Sequence, residues 1–292
     1  MNQVESQDKI IAIIGLGLIG GSFAKAFRGT GFCSKIIGVD NNDEHQKIAM
    51  EMNLVDEIRE LDDAIKHADI VLLATPVDSI EKLLPVVMNS IENQVVFDVG
   101  STKASIIKSI INHPKRGRYV ACHPMAGTEF SGPEASVAGL YDKAHNVLYN
   151  AKDSDEDALE MVQNLLSQIG MKLLYQQADE HDIHVAYLSH MSHISAFALA
   201  LTVLHKEQSE EQIFQLASGG FRSSVRLAKS NPSTWVPIFE QNRDALLDVL
   251  DEHITVLSKF RSLLIKKDFE SFEKLMLEAN QTDIKSIIKS TN

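Results

Sequence analysis

The apolar residues of the first half fall in blocks rather than in alternation. "KIIAIIG" (Lys9–Gly15), "KIIGVD" (Lys35–Asp40), "DIVLLATP" (Asp69–Pro76), "QVVFDVGS" (Gln94–Ser101) and "RYVACHP" (Arg118–Pro124) are short runs of this kind. Between them the apolar positions recur three and four apart. That spacing predicts a helix from about Ile19 to Arg28, one carrying Glu44 and Met50, a helical stretch interrupted by Pro85, and a helix over Thr102–Asn112. Strands that are apolar throughout are covered on both faces, so the pattern predicts a parallel sheet with helices on each side. "NVLYN" (Asn146–Asn150) and "MKLLYQ" (Met171–Gln176), with a helix from about Asp155 to Ile169 between them, are expected to extend that sheet.

The pattern changes at Ala178, beyond which no strand is expected. "DEHDIHVAYLSHMSHISAFALALTVLHK" reads as one long helix. A glycine break at "ASGGF" follows, then "FRSSVRLAKS", a proline-opened helix from Pro232 to about Ile265, and a last helix from Asp268. The expected organisation is an α/β domain, residues 1–177, followed by an all-α domain, residues 178–292. Helices this long, apolar on more than one side, bury a face against another chain, so a homodimer through the helical half is expected.

A chain of 292 residues is long for one core, which agrees with two domains. The formal net charge of −12 argues against a nucleic-acid partner, because phosphate contacts need a basic face. It leaves room for a small anion held by a few local arginines. Two cysteines, Cys33 and Cys122, make no disulfide scaffold and suit a reducing cytoplasm. The opening "MNQVESQDK" is polar and mixed in charge, unlike a secretory leader. Apolar runs such as "IIAIIGLGLIGG" are glycine-broken and short for a bilayer. A cytoplasmic protein without a membrane partner is the expectation.

Candidate chemistry begins at "GLGLIGGS". Gly15, Gly17 and Gly20 have GxGxxG spacing after a predicted strand, and Leu18 and Ile19 open the helix that follows. Gly15 permits the tight turn, Gly17 lets the backbone approach a pyrophosphate, and Gly20 lets helix and strand pack closely. The helix start offers free N–H groups to phosphate. Asp40 ends the second strand, placed to bind both ribose hydroxyls and to repel a 2′-phosphate. Asn41 and Asn42 follow it, not arginine. NAD is therefore expected rather than NADP, and the first domain reads as a Rossmann-type dinucleotide-binding domain. Thr75 and Pro76, at another strand end, are expected to line the cofactor cleft.

Parallel strands deliver their carboxyl ends to one rim, so Ser101 and His123 are expected to be neighbours. A histidine is the natural general base near neutral pH, and a serine hydroxyl beside it can orient the imidazole or a substrate hydroxyl. Next to a nicotinamide, the pair suggests oxidation of an alcohol. Cys122 and His123 point to opposite faces of an extended segment, so they do not form a nucleophile pair. His190 and His193 share one helix face. His181 and His184 lie about two turns earlier and no HExxH occurs, so a polar pocket or packing is favoured over a metal, and none is expected. Arg222 and Arg226, just after Gly219 and Gly220, are four apart and would repel on a bare helix. They make sense around an anion, and arginine suits a carboxylate.

"GLGLIGGS", "DVGSTK", "HPMAGTE", "SHMSH" and "GGFRSSVRLAKSNPSTW", in that order over Lys9–Arg243, resemble the prephenate dehydrogenase family and its arogenate-using relatives. The resemblance implies an NAD-dependent oxidoreductase that converts prephenate to 4-hydroxyphenylpyruvate in tyrosine biosynthesis. Conversion of arogenate to tyrosine is the alternative, and a two-domain 3-hydroxyacid or imine dehydrogenase the more distant rival. It also implies roles. His123 would accept the proton of the substrate's C4 hydroxyl, and Ser101 would hydrogen-bond that hydroxyl or His123. Arg226 would hold the ring carboxylate and His193 would line the pocket. Thr128, Arg222 and Gly219 fall on substrate-pocket positions, and Trp235 matches a tryptophan able to approach the neighbouring subunit's site. The helical half would be a dimerisation domain.

Overall fold

The structure, a computed structural model, describes residues 9–207 and 213–280. Its strands are β1 (Lys9–Ile14), β2 (Cys33–Val39), β3 (Glu57–Ile58), β4 (Ile70–Leu73), β5 (Val95–Asp98), β6 (Tyr119–Pro124), β7 (His145–Tyr149) and β8 (Lys172–Gln176). They form one sheet in the order β3-β2-β1-β4-β5-β6-β7-β8. The first six pair in parallel. The order reverses between β1 and β4, which opens a crevice at their carboxyl ends.

The last two strands extend the sheet but correct the expectation of a wholly parallel one. β7 runs antiparallel to β6, and β8 runs parallel to β7. A parallel return needs a crossover, usually a helix. The connection from β6 to β7 holds only a 3₁₀ turn at Pro133–Ala135. The chain therefore stays at the carboxyl edge and comes straight back.

The helices of the α/β half are α1 (Leu18–Thr30), α2 (Asp43–Glu51), α3 (Leu61–His67), α4 (Val77–Ser90), α5 (Ala104–Lys108) and α6 (Glu156–Gln168). Alternate strand residues feed two cores. Ile11 and Ile13 join Phe23, Phe27, Phe97 and Leu165 on one face of the sheet. Ala12 and Ile14 join Leu84, Val87 and Ile107 on the other. Burying each of these large side chains stabilises by about 2 kcal/mol. α4 runs straight through Pro85 instead of breaking there. A helix-interior proline costs about 3 kcal/mol. Ile80, Leu84, Val87 and Met88 around it are fully buried and outweigh that cost. α5 is shorter than the Thr102–Asn112 helix expected, because Ser109–Asn112 form turns.

The helical half comprises α7 (Ala178–Val185), α8 (Met191–Glu207), α9 (Gly219–Ser224), α10 (Pro232–Gln241), α11 (Arg243–Lys266) and α12 (Phe269–Ala279). α7 and α8 are one continuous helical run with a π-turn at Ala186–His190 between them. This run, Ala178–Glu207, is long enough to cross a membrane and holds an 18-residue stretch of mean hydropathy 1.3. It is longer than the apolar runs weighed from the sequence. It also carries His181, Asp182, His190 and His193, all of them buried. The helix expected from Pro232 to Ile265 breaks at Asn242. That side chain is buried and donates to the Asp182 carbonyl at 2.6 Å, and it lies 3.1 Å from His190 Nδ1. By contacts the chain divides into two compact units, one up to Arg243 and one from Asp244. In the second, Lys267 turns the chain with φ 58°, and Phe260 and Phe272 meet edge to face at 5.2 Å.

Candidate active site

Gly15 follows β1 with φ +99°, and a Cβ there would lie 2.7 Å from the Ala74 carbonyl group. Only glycine lets the β1 turn pass the end of β4. A Cβ on Gly20 would lie 2.0 Å from Gly15 O. Gly17 differs, because nothing stands within 4 Å of where its Cβ would be. It caps α1 without a side-chain bond, and no acid occupies the first turn, where Leu18 and Ile19 lie. Free N–H groups at a helix start favour an anion. Asp40 is fixed beside this loop. Its carboxylate accepts from Leu16 N–H at 2.7 Å and Asn42 N–H at 2.9 Å, with His45 Nδ1 at 3.5 Å. Thr75 and Pro76 lie at the end of β4, and Thr75 Oγ1 is buried without a protein partner. The open glycine, the uncapped helix and the orphaned hydroxyl fit a dinucleotide.

Beyond β5, a buried ion pair shapes the turn that bears Ser101. Asp98 and Lys103 are both fully buried and bonded to each other. The Asp98 carboxylate also accepts from Tyr119 Oη at 2.6 Å and Gly100 N–H at 2.9 Å. Removing one partner of such a pair costs about 3–5 kcal/mol. From the other side Asp182 accepts the Lys103 and Ala104 N–H groups, both at 2.9 Å. The Ser101 segment is thereby pinned between the sheet and α7.

His123 sits near the end of β6, one strand over from Ser101. Cys122 beside it is fully buried, whereas His123 is partly exposed. His123 Nδ1 lies 3.0 Å from His181 Nε2, and the two rings meet edge to face at 5.0 Å. His181 Nε2 is also 3.2 Å from the Ser101 carbonyl oxygen, and its Nδ1 is 2.7 Å from Tyr149 Oη. Burial, then His181, Lys103 and His190, hold the His123 pKa well below the usual histidine range. Burial and the Lys103 charge push His181 down to about 3. Three strand steps separate the glycine turn after β1 from His123, roughly 14 Å along the edge.

Arg226 begins a 3₁₀ turn, Arg226–Lys229, which packs on α8. Its Nη1 reaches Glu129 at 3.0 Å, in the loop that follows His123, and Asn231 Nδ2 donates to Ser131 Oγ at 3.3 Å in the same loop. Thr128 is exposed there and accepts from Phe130 N–H at 3.3 Å. His193 donates Nδ1–H to the Ser189 carbonyl at 2.9 Å, which leaves its Nε2 lone pair free. Trp235 lies flat on His193, with ring centroids 3.4 Å apart, within the same chain. Burial and the Arg226 charge lower the His193 pKa. Gly219 and Arg222 are both exposed on α9, and the structure does not join them to the His123 group. Arg222 and Arg226 do not share one helix, since α9 ends at Ser224.

Several members of this site have no role in the sequence reading. They are Tyr149, the Lys103–Asp98–Tyr119 cluster, Asp182 and Glu129. His181 figures there only as a possible metal ligand. The antiparallel register sets His123 opposite Val147, which puts Tyr149 on the His123 face of the sheet. That relation does not exist until β7 reverses.

Two family profiles cover both halves. Prephenate dehydrogenase, nucleotide-binding domain, matches residues 23–175, and prephenate dehydrogenase, dimerization domain, matches residues 177–278. A prephenate dehydrogenase of Bacillus subtilis (strain 168) is 34% identical over 275 residues, 93% of this chain and 73% of that protein. A cyclohexadienyl dehydrogenase of Zymomonas mobilis is 32% identical over 265 residues, 89% of this chain and 90% of that one. The crystal structure of prephenate dehydrogenase from A. aeolicus in complex with hydroxyphenyl propionate and NAD+ is similar with a TM-score of 0.85 at 30% identity. The match covers 96% of this chain and 98% of that one. Matched on both halves, and by relatives in sequence and in fold alike, this chain belongs to the prephenate dehydrogenase family and is an NAD-dependent oxidoreductase.

Proposed function

We propose that the chain oxidises prephenate and releases CO2, forming 4-hydroxyphenylpyruvate for tyrosine biosynthesis. One observation carries the reading. His123 is held through Nδ1 at the strand edge shared with the glycine turn, and Arg226 is tied to the loop that leaves His123.

Prephenate is a dianion with a hydroxyl on a non-aromatic ring. His123 takes the C4 hydroxyl proton on Nε2, the nitrogen not engaged with His181, and Ser101 orients that hydroxyl. Arg226 grips the ring carboxylate through charge-assisted hydrogen bonds, which fixes C4 at the nicotinamide end. His193, Thr128 and Trp235 complete the substrate pocket, and Gly219 and Arg222 are assigned to it although the structure does not join α9 to the His123 group. Bound NAD+ supplies the hydride acceptor, and Gly15, Gly17, Leu18, Ile19, Gly20, Asp40, Thr75 and Pro76 would hold it. Once C4 carries a carbonyl, the two ring double bonds connect it to the saturated carbon bearing the carboxylate, as in a vinylogous β-keto acid. The carbon–carbon bond to CO2 then breaks, its electrons enter the ring, and the carbonyl oxygen takes a proton to become a phenol. Regained aromaticity makes the step effectively irreversible.

Residues 1–177 act as the NAD-binding domain and 178–292 as the substrate and dimerisation domain in this reading. The apolar side chains exposed along α8, Leu199, Leu201 and Leu204, and along α11, Ile254 and Leu257, support a homodimer, and the reading takes the enzyme to be cytoplasmic. The test is purified protein with NAD+ and either prephenate or arogenate, following reduced nicotinamide and CO2 together. The expected result is one CO2 per NADH from prephenate. Turnover of arogenate alone would move the reading to that substrate, and turnover of neither would overturn it.

A further inference from the structure

A base that takes a proton on one imidazole nitrogen must have its other N–H accepted. When His123 accepts on Nε2 it becomes an imidazolium, and its Nδ1–H points at His181 Nε2, 3.0 Å away. His181 Nε2 must then be a lone pair, so the single proton of neutral His181 sits on Nδ1. That nitrogen is 2.7 Å from Tyr149 Oη, which must therefore accept. Both supporting groups lie behind the base: Tyr149 is fully buried, and 2% of His181 is exposed.

We infer that His181 and Tyr149 are positioning residues for His123, accepting in turn the two N–H groups that its proton-bearing form requires. The inference rests on the general-base reading of His123. A competing arrangement exists. The Ser101 carbonyl, 3.2 Å from His181 Nε2, favours a proton on that nitrogen. His181 would then donate to His123 Nδ1, and His123 would carry its own proton on Nε2, where it can take no second one. The Tyr149 hydroxyl gives the His181 Nδ1–H a partner and so holds the working tautomer. His181 stays neutral because burial and Lys103 push it down to about 3, and burial pushes the Tyr149 phenol far up, so neither titrates in the assay range.

The experiment compares His181→Leu, His181→Gln and Tyr149→Phe with the parent enzyme. The readouts are kcat and KM for prephenate and NAD+, and the histidine tautomers by 15N NMR in the NAD+ complex. Loss of the acceptor in His181→Leu is expected to lower kcat by ~10²-fold with the KM for NAD+ unchanged. His181→Gln, whose side-chain oxygen reaches the place of Nε2, recovers about tenfold of that loss, since general-base catalysis as a whole spans only ~10²–10⁴. Tyr149→Phe removes one hydroxyl that does not touch substrate, and it is expected to move the neutral His123 proton from Nδ1 toward Nε2 and to lower kcat. Parent-like kcat and tautomer in Tyr149→Phe would overturn the inference, and so would an Nε2 proton on neutral His123 in the parent's NAD+ complex. If His181→Leu fails to fold, Tyr149→Phe decides alone. If the parent does not oxidise prephenate, the functional reading fails, while the tautomer comparison still judges the hydrogen-bonded chain.

Discussion

At the scale of residues, the base role proposed for His123 requires it to be neutral. Burial and the surrounding histidines and lysine hold its pKa well below the usual range. Activity should be lost only as pH falls through that lowered value, so kcat/KM is expected to stay level down to pH ~6.5 and drop in more acid solution. A pH–rate profile with its acid limb centred above pH 7 would contradict this. His123→Ala should cost ~10²–10⁴ in rate while NAD+ binding, followed by titration, survives. Arg226→Ala should act chiefly on KM for prephenate, and an unchanged KM would count against its carboxylate role. The Ser101–His123 neighbourhood is legible in the sequence, because adjacent parallel strands must end side by side. His181 and Tyr149 are not, since they meet through contacts spanning 58 and 32 positions.

At the scale of elements, the π-turn at Ala186–His190 decides which side of the long helix faces the site. Twelve positions separate His181 from His193, and an unbroken α-helix would set them about 120° apart. One extra residue in the turn brings them back to within about 20°. Inserting one alanine after Leu188, an exposed residue of that turn, should add a further ~100° of rotation and swing His193 and Trp235 apart. Prephenate turnover is expected to fall at least ~10²-fold, with NAD+ affinity retained. An insertion variant with parent-like kcat/KM would show that the register set by the turn is incidental.

The strands are readable in the sequence because double-sided burial leaves unbroken apolar runs, as at Ile70–Leu73. Strand direction leaves no such mark, so the reversal of β7 is invisible there. The helix through Pro85 and the break at Asn242 are hidden for a related reason. Packing around Ile80 and Val87, and the bonds from Asn242 to Asp182 and His190, override local preference.

At the scale of the whole molecule, the buried histidines make stability sensitive to acid. Burial holds His123 well below its usual pKa, lowers His181 to about 3 and lowers His190 to about 4. Above pH ~6.5 both folded and unfolded chains keep these rings neutral, so their burial costs nothing extra. Below it the unfolded chain binds protons that the folded one refuses, and stability falls by up to ~1.4 kcal/mol per pH unit for each ring. The loss continues until the folded-state values are reached. Urea midpoints should begin to drop just below pH 6.5, well before the carboxylates titrate. Midpoints that stay level to pH 4.5 would refute this.

The flat stack of Trp235 on His193 has an optical consequence. The chain contains a single tryptophan. All of its indole emission therefore originates at one spot, pressed against an imidazole beside Arg226. Fluorescence needs no attached dye here. A ligand that lifts or polarises that ring changes the only indole signal the protein has, whereas one that stays at the glycine turn leaves it nearly still.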